Sequence, residues 1–201
     1  MVIKTLINKD ATKDGITDGL EWIQKQTGQK DLAMIFYAGH GVNDNNGIFY
    51  MLPVGADLAR VRTTCLNFEE LKQTVSNIAG KVVVFIDACH SGNVMGVRRG
   101  ESDINALVNE LSSTENGAIT FTSSTGKEFS LEDKSWGNGA FTKAVIEGLN
   151  GKAVINNKNK ITVKSLDAYV SERVKELTKG NQHPTSVSPV NVPDFPIAVI
   201  K

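Results

Sequence analysis

Two short stretches carry side chains suited to nucleophilic catalysis. One is Asp87-Ala88-Cys89-His90-Ser91-Gly92. The other is Tyr37-Ala38-Gly39-His40-Gly41, whose histidine lies 49 positions before the cysteine. A thiolate, not a thiol, is the reactive form of cysteine, and a neighbouring imidazole supplies it by taking the proton. Cys89 is therefore the candidate nucleophile and His40 its base. Gly39 and Gly41 are expected to let the chain turn tightly around His40 and leave the Gly41 amide uncovered. With the amide of Cys89, that N–H could hold the oxyanion of a tetrahedral intermediate. The competing reading of Cys89 is a small buried hydrophobe, as free cysteines commonly are. His90 adjoins the nucleophile, and neighbours at a strand end point apart, so it is read as structural.

The elements around these stretches decide whether they can meet. Five consecutive apolar residues, 82–86, read as a strand buried on both faces that stops at Asp87. Residues 32–38 read as a second such strand, ending at Gly39. An opening strand is expected at 2–7 and a helix at 13–26 capped by Asp10 or Thr12. A short strand follows at 48–52. A second helix starts at Asn67, with Glu70 placed as in a capping box, and runs to Gly80. Ile104, Leu107, Val108 and Leu111 recur at helical spacing, and 117–122 reads as a strand ending in Ser123-Ser124. A helix bearing Phe141, Val145 and Leu149 comes next, then a last helix capped by Thr162. A proline-bearing loop follows His183, and 195–200 reads as a final strand. Strands alternating with helices predict a mainly parallel sheet covered on both faces, with the working crevice beyond the carboxyl ends of the strands. Cys89 and His40 both follow such ends.

Composition narrows the chemistry. The 201 residues carry 22 basic and 22 acidic side chains, so no long-range field favours nucleic acid or an anionic membrane. No apolar run is long enough to span a bilayer, and two cysteines, Cys65 and Cys89, are too few for a disulfide framework. The expectation is a single domain in a reducing, cytoplasmic setting, with no nucleic-acid or membrane partner. Cys65 is expected to be simply buried. No paired ligand spacing supports a zinc site, and no metal is assigned.

At Tyr37-Ala-Gly-His40-Gly41 and Asp87-Ala-Cys89-His-Ser-Gly92 the chain resembles the caspase-like cysteine peptidases, most closely their bacterial metacaspase (orthocaspase) branch. The likeness continues through Thr122-Ser-Ser124, Gly137-Asn-Gly-Ala-Phe141-Thr142 and Pro193-Asp-Phe-Pro-Ile-Ala198, over nearly the whole length. It implies a caspase-like α/β fold with a large-subunit-like part (1–92), a linker (93–115) and a small-subunit-like part (116–201). It implies a cysteine endopeptidase with His40 and Cys89 as its dyad, acting on proteins or peptides and fused to or regulated by other domains. Relatives begin with a buried strand and an acidic loop upstream of residues 2–7, so that first strand is expected to be missing here. Some metacaspases need calcium held by clustered aspartates. The corresponding stretch, Asn67-Phe-Glu-Glu70, lacks the double aspartate, so no cofactor is required and calcium dependence stays open. The rival function is a non-catalytic caspase-like module that binds or regulates partners.

Specificity follows from spacing. Residues two apart on a strand share a face, so Asp87 would lie on the side of Cys89 if the strand persists that far. A carboxylate there favours Arg or Lys before the cut, as the metacaspase resemblance also implies. Caspases that cut after Asp need arginines in that pocket, and Arg60, Arg62, Arg98, Arg99 and Arg173 all lie outside the motifs. Ser123 and Ser124 are candidates to line the pocket, with a hydrogen-bonded turn as their alternative. Arg98-Arg99 would then be a self-cleavage site in the linker, against a plain solvated basic pair.

Overall fold

The structure, a computed structural model, describes residues 1–90, 104–113, 117–124, 130–134, 136–155 and 159–200; of residues 89, 90, 104 and 105 it describes the backbone. A 3-10 turn at Asn8–Asp10 leads into α1 (Lys13–Gln26), and the strand β1 (Leu32–Asn43) follows. Then come β2 (Phe49–Leu52), the single turn α2 (Val61–Thr64), β3 (Leu66–Asn67), α3 (Phe68–Asn77) and β4 (Lys81–His90). The remainder comprises α4 (Ile104–Leu111), β5 (Ile119–Thr122), α5 (Ala140–Glu147), β6 (Lys160–Thr162), α6 (Val163–Thr178), β7 (Thr185–Val187) and β8 (Pro196–Val199).

Six strands form one sheet in the order β3-β2-β1-β4-β5-β7. Its three central strands, β1, β4 and β5, run parallel, and antiparallel strands flank them on either side. β4 shows why this strand is central. Val82, Val84, Ile86 and Ala88 pack with Leu20 of α1 and with Phe68, Leu71 and Val75 of α3. Val83 and Phe85 pack on the other face with Phe141 and Val145 of α5 and with Leu166, Val170 and Val174 of α6. Burial on both faces requires an unbroken apolar run, which is what residues 82–86 supply. The fold is α/β with helices on both faces, as expected.

Helix starts follow their caps. The Thr12 hydroxyl accepts from Gly15 N, Asn67 and Glu70 complete a capping box, and Thr162 with Ser165 forms another. α3 ends at Asn77 rather than at Gly80. A β-carbon at Gly80 would lie 2.6 Å from the Asp31 carbonyl, so that glycine permits a close backbone approach instead.

Three expectations about the strands need correction. Residues 2–7 form no strand; Val2, Ile3 and Ile7 stay exposed, because an extended segment without a ladder neighbour has nothing to bond. β1 does not stop at Ala38, nor β4 at Ile86; both run on through the histidine and cysteine motifs. The loop after His183 contains β7, which pairs with β5. The final strand forms where expected, as β8, and pairs with β6 in a separate two-stranded sheet.

Candidate active site

The parallel ladder between β1 and β4 is continuous from Leu32 opposite Lys81 to Gly41 opposite His90. Its penultimate pair is His40 opposite Cys89. Neighbouring strands lie about 4.8 Å apart, so the two residues meet at the carboxyl end of the sheet's centre. His40 is exposed there. On its other side it faces Leu52 of β2, and Gly41 faces Met51.

The glycines around His40 have a different job from the one their spacing suggests. Both lie within an extended, paired strand, not in a tight turn. The Tyr37 side chain folds along the strand so that its hydroxyl donates to the His40 carbonyl at 2.7 Å and reaches the Leu52 carbonyl at 3.5 Å. A β-carbon at position 39 would sit 2.8 Å from that hydroxyl. One at position 41 would sit 2.1 Å from Cζ of Phe49. Gly39 and Gly41 thus make room for two rings that support the histidine strand. Burial pushes the Tyr37 phenol well up, so it remains a proton donor. Cys65, close by, is fully buried, and burial raises its thiol as well; it is sealed, as expected.

Two positions below His40 and Cys89 in the ladder, Ala38 stands opposite Asp87. The half-buried Asp87 carboxylate accepts a hydrogen bond from the Thr142 hydroxyl in the first turn of α5. Beyond β5, Ser123 and Ser124 are 1% and 4% exposed. The Ser123 amide donates to the Ile86 carbonyl at 3.0 Å, and its hydroxyl pairs with that of Ser130. The Ser124 carbonyl accepts from Thr122. This burial favours the hydrogen-bonded turn over pocket lining.

Gln182, which sequence reasoning passed over, is fully buried between these segments. Its Nε2 donates to the Ser123 carbonyl and its Oε1 accepts from Leu131 N, both at 2.8 Å. The Leu131 carbonyl in turn accepts from Ala140 N at the start of α5. Nothing in the run Asn181-Gln182-His183-Pro184 marks such a clamp. Thr142 was within reach of sequence reasoning, since it closes the Gly137–Thr142 motif.

The family model for the caspase domain matches residues 3–195. The chain belongs to the caspase-domain family. It is therefore a member of a cysteine-peptidase family, in agreement with the resemblance at its histidine and cysteine motifs. The crystal structure of protein GSU0716 from Geobacter sulfurreducens superposes with a TM-score of 0.69 at 18% identity, over 100% of this chain and 83% of that one. That likeness is one of fold. No curated protein matches the chain.

Elsewhere the caspase domain carries features that do not join the site. Asp44, just past the end of β1, closes a turn by accepting from Asn46 N and Ile48 N at 2.8 and 3.0 Å, and pairs with Arg62 at 3.3 Å. Burial works against its ionisation, but these bonds prevail and hold its carboxyl below the usual range. A cavity of about 540 Å³ opens beside this turn between Asp44–Asn46 and Leu58–Thr63, and no predicted site residue lines it. Among the described residues, no three His, Cys, Asp or Glu side chains gather as metal ligands. Asn67 and Glu70, weighed for calcium, are the capping box of α3. No helix among the described residues is long and apolar enough to cross a membrane. Arg98 and Arg99 lie outside the described residues.

Proposed function

We propose that this caspase domain is a cysteine endopeptidase that cleaves after Arg or Lys. The observation that carries the reading is the register of β1 and β4, which sets His40 beside Cys89. In the proposed reaction His40 takes the thiol proton and the Cys89 thiolate attacks the scissile carbonyl carbon. Backbone N–H groups at this strand end, that of Cys89 among them, receive the resulting oxyanion. As the tetrahedral intermediate collapses, the C–N bond breaks and imidazolium protonates the departing amine. Water, deprotonated by His40, then adds to the thioester and releases the acid and the free thiol.

Basic specificity is assigned to Asp87. β4 runs unbroken to His90, so the period of two that relates positions 87 and 89 holds along its backbone. A pocket for acidic residues would need arginines, and two of the described ones are engaged elsewhere: Arg62 on Asp44, Arg173 on Glu147 and Glu176.

Fluorogenic peptides ending in Arg, Lys or Asp, with and without calcium, test the reading in wild type, Cys89→Ala and His40→Ala. Turnover of the Arg and Lys peptides by wild type alone is expected. No turnover of any peptide, together with no labelling of Cys89 by a peptidyl chloromethyl ketone, would favour a non-catalytic binding module. Cleavage at Arg98-Arg99 is part of the same proposal. Intact mass should show two associated pieces for wild type and one chain for Cys89→Ala; a cut in both forms, or in neither, removes it.

A further inference from the structure

The Gly137–Thr142 stretch is a motif that the dyad and its pocket leave without a role, and it converges on Asp87. Gly139 caps α5, and an ideal β-carbon there would lie 3.0 Å from Asp87 Oδ2 and 3.7 Å from the Leu131 carbonyl. Phe141, fully buried, anchors the first turn of α5 in the core shared with Phe85 and Phe121. Thr142, one residue on, donates its hydroxyl to the same Oδ2. One carboxylate oxygen is thus hemmed in by a residue without a side chain and bonded by the next polar group of the turn. The turn itself cannot drift, because Ala140 N is tied to Leu131, whose own amide is held by buried Gln182.

We infer that Thr142 is a positioning residue for substrate selection: it fixes Oδ2 of Asp87 against α5 and leaves Oδ1 to meet the cation of an Arg or Lys side chain. Gly139 serves the same end by leaving the carboxylate room. A carboxylate held in one rotamer meets its cation without paying the entropy of ordering itself. The inference rests on Asp87 being the selector of a basic residue.

The test compares two fluorogenic peptides that differ only in arginine or citrulline before the bond. The citrulline side chain keeps the shape and loses the charge. The full chain is assayed as wild type, Thr142→Val, Thr142→Ser and Gly139→Ala. Thr142→Val should lower kcat/KM for the arginine peptide about tenfold, through KM, and leave the citrulline peptide unchanged. Thr142→Ser keeps the hydroxyl and should restore discrimination. Gly139→Ala deletes no hydrogen bond, and φ of −60° admits alanine, so its loss of discrimination would report displacement of the carboxylate alone. Alkylation of Cys89 by iodoacetamide should proceed at the wild-type rate throughout. If wild type prefers arginine and both Thr142→Val and Gly139→Ala keep that preference, the inference is overturned while the specificity reading stands. If wild type does not prefer arginine, the assignment of Asp87 fails and takes this inference with it. Equal losses on both peptides would mark Thr142 as scaffold and overturn the positioning role.

Discussion

The hydroxyl of Tyr37 donates a 2.7 Å hydrogen bond to the backbone carbonyl of His40, three residues ahead on the same strand. An extended strand normally sends its carbonyls to its neighbours, so a side chain that bonds its own strand adds a local restraint just where the proposed base sits. Tyr37→Phe keeps the ring in the core and deletes that bond. The expected result is a loss of about 1 kcal/mol in stability and a fall of about fivefold in kcat with KM unchanged, since small displacements of a catalytic group are costly. Steady-state kinetics beside urea denaturation checks this. A stability loss with wild-type kcat would confine the bond to the scaffold.

Gly41 makes a sharper prediction. The clash of a β-carbon with the Phe49 ring is severe, and the ring is 7% exposed in a packed core beside Phe68. Gly41→Ala should destabilise by about 3 kcal/mol. Phe49→Leu, which removes the offending ring atoms, should cost about 1 kcal/mol alone and recover part of the loss in the double variant. Additive losses in the thermal or urea midpoints would show that Gly41 matters for another reason.

These two glycines also mark where sequence reasoning reached its limit. The apolar run of β4, the Thr12 cap of α1, the Asn67–Glu70 box and the Thr162 cap are local patterns, and each element forms where its pattern lies. Gly39 and Gly41 read as a turn because glycine usually marks one. Their real constraint is a ring from residue 37 and a ring from residue 49, which only the folded sheet brings over them. The short strands β6 and β7 are not legible in the sequence for a like reason: three residues become a strand through the partner they find. The order of the histidine and cysteine motifs was legible, whereas their meeting depends on the register of two strands 49 positions apart in the chain. Gln182 left no pattern at all, since its role depends on two loops that meet only in the fold.

On the far side of α5 and α6, Glu147 accepts from Arg173 Nε at 2.9 Å and from the Tyr169 hydroxyl at 2.8 Å, with Lys143 and Lys152 also in ion-pair range. The Arg173 hydrogen bond, chiefly, holds its carboxyl down to about 2 from an ordinary 4.5. A depressed folded-state pKa means that the unfolded chain binds the proton more readily. The stabilisation is therefore complete above pH 4.5 and drains away as pH falls towards 2. Thermal unfolding across that window should show a falling midpoint in wild type and a shallower fall in Glu147→Gln. Parallel curves would mean that other carboxylates govern the acid limb. Because this network lies apart from His40 and Cys89, peptide turnover by Glu147→Gln at neutral pH should match wild type.

Gln182 ties the end of β5 to the segment that leads into α5, and both ends of its amide are used. Gln182→Leu leaves the Ser123 carbonyl and the Leu131 amide without partners, which should cost about 3 kcal/mol. Gln182→Glu retains the acceptor for Leu131 N and loses only the donor to Ser123, yet it also places a charge in a fully buried position; a neutral, protonated glutamic acid would restore the donor. Its stability should therefore recover towards wild type as pH falls below neutrality, whereas that of Gln182→Leu should not. Urea denaturation at pH 5 and pH 8 separates the two variants. Equal behaviour at both pH values would mean that the carboxyl at position 182 has turned to solvent, and that the segments flanking Asp87 hold together without the clamp.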